Sequence, residues 1–227
     1  MDLLRSGTIA FVAILASLSG SLAAQQLEPT PRLSAGSNYS AQPPEESDSD
    51  LRTLRGRNGQ ALGQPVTLSG RVLHQDGSPY KDLFVEIWQS DANGFFVDES
   101  KREDKTQRFD RNFQGYGKTQ TNAQGQYSFQ TIAPVPSTGR SAPHIFVRVR
   151  QGDLELLTTQ IFIRDHPGNK DDQVFKGIRD VLKRELVQVE FAGGKDKKDG
   201  LTAEFDIVIG AAALDASRRT PQESPEP

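Results

Sequence analysis

The chain contains no cysteine. That excludes disulfide bonds, thiolate metal sites and a cysteine nucleophile. It also excludes a lipid anchor of the bacterial lipoprotein kind. No charge of one sign dominates: 27 Lys and Arg against 30 Asp and Glu leave a net charge of -3. There is no basic stripe and no interleaving of arginines with aromatics, which excludes nucleic acid as a partner. Histidine is scarce, with three in the chain. His74 stands beside a turn, as a solvated residue would. No G-x-S-x-G elbow surrounds Ser137 or Ser141, so a nucleophilic triad with His144 is excluded.

What is present begins with 227 residues, enough for one domain with tails. Arg5 is followed by a short apolar run from Ile9 to Ala16 and then by small residues around Ser21-Leu22-Ala23. A charged start, a short apolar core and a small-x-small site predict a secretory signal peptide over residues 1–24, hence an exported protein. An uncleaved anchor is the alternative. The run falls short of the ~20 apolar residues of a span, so no membrane span is expected after cleavage. Residues 25–64 are rich in Pro, Ser, Gln and acid, and read as a disordered arm. Within it, residues 51–55 have the pattern of a turn that docks on the domain. Residues 212–227, with their Pro and Glu, read as a disordered tail.

Between these tails, residues 65–211 are patterned for strands. Val66, Leu68, Gly70 and Val72 alternate with polar residues, the period of a half-buried strand. Residues 83–88 are apolar on both faces apart from Glu86, which predicts a central strand. Tyr127, Phe129 and Thr131 share a face, as do Ile145, Val147 and Val149. Gly, Asn and Asp turns separate these segments. Residues 98–110 read as a solvated charged connection. One helix is predicted over residues 171–187, weakened by Gly177. The whole predicts an all-β two-sheet sandwich with one accessory helix.

His144 is the one histidine inside a strand pattern, in Ala142-Pro143-His144-Ile145-Phe146-Val147. With Gly70-Arg71-Val72, Val85-Glu86-Ile87-Trp88-Gln89, residues 110–115 and 124–132, Thr159-Gln160-Ile161 and Phe205-Asp206-Ile207-Val208, it resembles the intradiol ring-cleavage dioxygenases of the catechol and protocatechuate type. The first turns and strands are also those of a transthyretin-like structural or adhesion module. The resemblance implies a non-haem ferric iron held by two tyrosines and two histidines, acting on catechol-type rings. Matched residue by residue, the tyrosine positions hold Phe96 and Ser137. The histidine positions hold His144 and Phe146. His144 is thus the only metal ligand matched. Three substituted positions imply no bound cofactor; ferric iron is expected only if the family activity is retained.

Phe96, Ser137, His144 and Phe146 are expected to line a pocket for an aromatic small molecule. Arg140 and Tyr116 are the catalytic candidates: Arg140 stands beside Ser141, where the family has an arginine, and Tyr116 lies in a glycine-flanked loop. An alternative metal site would draw on His166, Asp165, His144 and Tyr116. Arg148 and Arg150 share a face with His144 and suit either a carboxylate ligand or structural ion pairs. The resemblance to the alpha subunits of protocatechuate enzymes further implies an iron-bearing homologous subunit as partner.

Overall fold

The computed structural model describes residues 26–34, 47–193 and 200–211. The predicted signal peptide and C-terminal tail lie outside the described residues. Alternating apolar residues build two mixed sheets whose inner faces meet in one core. The first sheet centres on β1 (Pro65–His74). Antiparallel β4 (Gln126–Ile132) flanks it on one side; parallel β8 (Leu201–Glu204) and β9 (Ile207–Ile209) flank it on the other. The second has the order β3 (Tyr116–Gln120), β2 (Phe84–Trp88), β5 (His144–Gln151), β6 (Leu154–Ile163), β7 (Gln188–Val189). β2 is interior, as its apolar pattern predicts.

Val66, Leu68, Val72 and Phe129 of the first sheet meet Val85, Ile87, Ile145, Val147 and Ile161 of the second in the main core. Gly70 lets the backbone approach closely: a Cβ there would stand 2.0 Å from the carbonyl oxygen of Phe205. That oxygen accepts a 2.5 Å hydrogen bond from the Tyr127 hydroxyl.

The segment predicted as a disordered arm is not a free spacer where it is described. Residues 26–34 bridge the sheets on the β9/β6 side. The Thr30 N–H donates to the Val208 carbonyl, and the Leu33 N–H to the Thr158 carbonyl. The Thr159 hydroxyl donates to the Pro31 carbonyl at 2.7 Å. On the β4/β3 side, the Leu51 N–H donates to the Gln130 carbonyl, the Gln130 N–H to the Ser49 carbonyl, and the Lys118 N–H to the Asp48 carbonyl. Leu51 is 0% exposed. Both open sides of the sandwich are thus closed by one polar arm. Apart from the buried Leu51, much of its attachment runs through its backbone groups, which composition does not reveal.

Two further expectations are corrected. The connection 98–110 is not simply solvated: Arg102, 6% exposed, donates to the carbonyls of Arg111, Phe113 and Gln114 and pairs with Glu99. The single predicted helix is two: α1 (Gln173–Gly177) and α2 (Val181–Glu185). Ile178 leaves helical geometry after Gly177. Asp180 then caps α2 by accepting the Leu182 N–H.

Candidate functional site

The site is built at one end of the second sheet, on the face away from the main core. Trp88 closes β2, Tyr116 opens β3 and Phe146 lies near the start of β5. The strand register sets Trp88 opposite both Tyr116 and Phe146. His144 and Phe146 are two residues apart on one strand and so share that face. Trp88 stacks on Phe146 at 5.1 Å and 9°. Phe96 tilts against Phe146 at 6.0 Å, and His144 meets it edge-on at 4.8 Å.

Loops deliver the rest. The Asp91 carboxylate accepts the N–H groups of Asn93 and Phe95, each at 2.9 Å, and that of Asp110. This fixes the turn that presents Phe96. The proline loop carrying Ser137 packs on Gly94 of the same turn, where a Cβ would stand 2.7 Å from the Pro136 carbonyl oxygen.

His144 is 2% exposed. Its Nδ1 lies 2.8 Å from the Ala142 carbonyl, an acceptor, so Nδ1 carries the proton and Nε2 the lone pair. Burial pushes the ring down to about 4; the Arg140 charge acts the same way, against the Ala142 carbonyl and Asp172. The imidazole is therefore neutral near pH 7. Among the described residues, neither its Nε2 nor the buried Ser137 hydroxyl has a hydrogen-bond partner.

Arg140 lies close by, engaged by its neighbours. Its Nε donates to Asp172 at 2.6 Å, and a terminal nitrogen reaches Asp172 at 2.9 Å and the Gln160 carboxamide oxygen at 3.1 Å. Asp172 also accepts the Val174 and Phe175 N–H groups, capping α1. Burial raises its carboxyl pKa, but the Arg140 hydrogen bond and the Phe175 N–H together hold it below the usual range. Gln160 donates onward to the Ser34 carbonyl of the arm.

Phe96, His144 and Phe146 therefore come together, with Tyr116 buried in the same cluster. The alternative metal set does not assemble: the His166 Nδ1 accepts the Gly168 N–H at 3.0 Å as a cap. Among the described residues, no three His, Cys, Asp or Glu side chains are grouped to hold a metal. Arg148 and Arg150 pair with buried Glu86. His74 stacks on Tyr80 at 4.0 Å rather than standing free in solvent. Sequence reasoning overlooked Trp88, Gln160 and Asp172 as parts of the site. Asp172 alone carried a legible signal, an N-cap residue before an apolar helical pattern.

A family model described as Dioxygenase matches residues 35–211. The protocatechuate 3,4-dioxygenase beta chain of Burkholderia cepacia is 31% identical over 170 residues, 71% of this chain and 71% of the relative. The chain belongs to the intradiol ring-cleavage dioxygenase family. Hydroxyquinol 1,2-dioxygenase of Rhodococcus opacus is 29% identical over 177 residues, which are 66% of this chain and 55% of that enzyme. The intradiol ring-cleavage dioxygenase from Tetranychus urticae superposes with a TM-score of 0.59 at 20% identity, covering 81% of this chain and 95% of that one. At that identity the match speaks for the fold alone.

Proposed function

We propose that this chain is an exported, non-catalytic member of the intradiol dioxygenase family, acting as a binding module or as the partner subunit of an iron-bearing homologue. The observation that carries the reading is the donor set. Phenylalanine rings at positions 96 and 146 have no lone pair to give a metal. A neutral serine hydroxyl is a poor ferric ligand. One buried imidazole cannot hold ferric iron against water, which needs several anionic or nitrogen donors. The residues present do not fit the family's iron.

What the cluster suits instead is an aromatic guest. The half-buried Phe96 ring and the unpartnered Nε2 of the neutral His144 support that reading, while Trp88 and Phe146, each 2% exposed, are stacked on one another beside them. Support for a partner is that one relative is itself a beta chain.

The deciding experiment is metal content and visible absorption of residues 25–227, purified with iron available, together with catechol-dependent oxygen uptake. A colourless, iron-free, folded protein without uptake is expected. Near-stoichiometric iron with a tyrosinate-to-iron band would overturn the reading, and Tyr116 and His166 would be the first relocated ligands to mutate. Co-purification with an iron-bearing homologue would separate the subunit from the free-standing module.

A further inference from the structure

The outer face of the first sheet carries a second site, unrelated to the His144 cluster. Because Val66, Leu68, Gly70 and Val72 face inward, their neighbours Ser69 and Arg71 face outward. The register sets Ser69 between Ser128 and Glu204, and Arg71 beside Gln126. Where β3 folds over beside β4, these residues line a groove of about 820 Å³. That volume lies within the range of small-molecule sites.

The chemistry of the lining narrows the ligand. Of its eleven residues, five carry hydroxyls, that of Tyr127 being committed to the Phe205 carbonyl; three carry carboxamides, and the only charged ones are Arg71 and Glu204. No aliphatic side chain lines it, so a purely apolar guest would leave most of the groove's polar groups unmatched. One charge of each sign gives no net attraction to a polyanion or polycation. The Arg71 charge is moreover answered by Asp206, at 2.6 Å. What remains is a neutral ligand dense in hydroxyls, which such donors and acceptors can match.

Part of the surface is held in place beforehand. The Asn122 carboxamide oxygen accepts the Gln124 and Gln126 N–H groups, and its nitrogen donates to the Gln126 side-chain oxygen at 2.9 Å. This leaves the Gln126 amide hydrogens as oriented donors. We infer that this groove is an oligosaccharide-binding site, recognising a neutral glycan chain through hydrogen bonds from Ser69, Arg71, Gln126 and Ser128.

The test is titration of the whole protein with cellohexaose, xylohexaose and chitohexaose, followed by calorimetry and NMR. The variant Ser128→Phe fills the groove from an exposed position, and Gln126→Ala removes a donor. Binding of one glycan at about 1 mM or tighter is expected, weakened at least about tenfold by Ser128→Phe at unchanged Tm. If Ser128→Phe unfolds, the same loss is required of Gln126→Ala. No binding by any of the three at about 10 mM, or binding that ignores both substitutions, overturns the assignment.

Discussion

His144 shows how burial alone can redirect a residue's chemistry. Its ring titrates at about 4 in the folded protein against 6.5 when free, chiefly because burial disfavours the cation. Below pH 6.5 the unfolded chain takes up a proton that the folded chain refuses, so stability falls as pH drops from 6.5 to about 4. A gap of this size corresponds to about 3 kcal/mol in all. Urea unfolding at pH 7 and pH 4.5 should show most of that loss in the wild type and much less in His144→Gln. Equal losses in both would mean that the ring is not held neutral by the fold. Asp172 has the depressed carboxyl beside it, so its contribution is lost only at still lower pH. Its side chain is 0% exposed and pairs with Arg140. Removing one partner of a buried pair costs about 3–5 kcal/mol, so Asp172→Ala should be among the most damaging single changes. Asp172→Asn retains an acceptor for the α1 cap and should be milder by about 1 kcal/mol. Denaturant midpoints of the two variants decide this, and identical midpoints would remove the cap from the account.

At the scale of elements, legibility followed side-chain periodicity. β1, β4 and β5 were readable because their inward-facing residues alternate with polar ones, and β2 because it is apolar on both faces apart from Glu86. The arm was not, because its attachment runs through backbone groups of a polar stretch; only Leu51 marked it. Leu51→Ala should therefore cost about 3–5 kcal/mol, as for a buried core leucine. Leu62→Ala, at a position 58% exposed in the same stretch, should fall within about 0.5 kcal/mol of the wild type. Thermal melts of both test the contrast. The helix split was half readable: Gly177 signalled weakness, but Asp180 looked like one more helical position rather than a second cap. A Cβ at Gly177 meets nothing within 4 Å, and its backbone is not left-handed. Gly177→Ala should thus stabilise by about 0.5–1 kcal/mol, chiefly by narrowing the unfolded ensemble; a lower Tm would contradict it. Of the site, the nearness of Phe96, His144 and Phe146 was legible, but the Trp88–Phe146 stack and the Arg140–Asp172–Gln160 contacts are products of three-dimensional packing that no spacing in the chain announces.

At the scale of the whole molecule, the arm's two attachments lie on opposite sides of the sandwich. Residues 48–51 engage β4 and β3, while residues 27–34 engage Gln75 just after β1, together with β9 and β6. Each covers sheet edges that would otherwise present unpaired backbone groups, the usual route to edge-to-edge association. Among the described residues, deleting 1–34 removes three backbone bonds and several side-chain ones, each about 1 kcal/mol net, against the ordering entropy recovered. A loss of about 2–4 kcal/mol is expected, with greater self-association above the transition. The deletion and Leu51→Ala share no partners, since one acts on β6 and β9 and the other on β3 and β4. Their costs should add within about 0.5 kcal/mol when combined. Equilibrium unfolding of the two single variants and the double closes this cycle. A double variant much less stable than the sum would mean that the two closures support one another through the core, and that the arm acts as a single clamp around the sandwich rather than as two independent stitches.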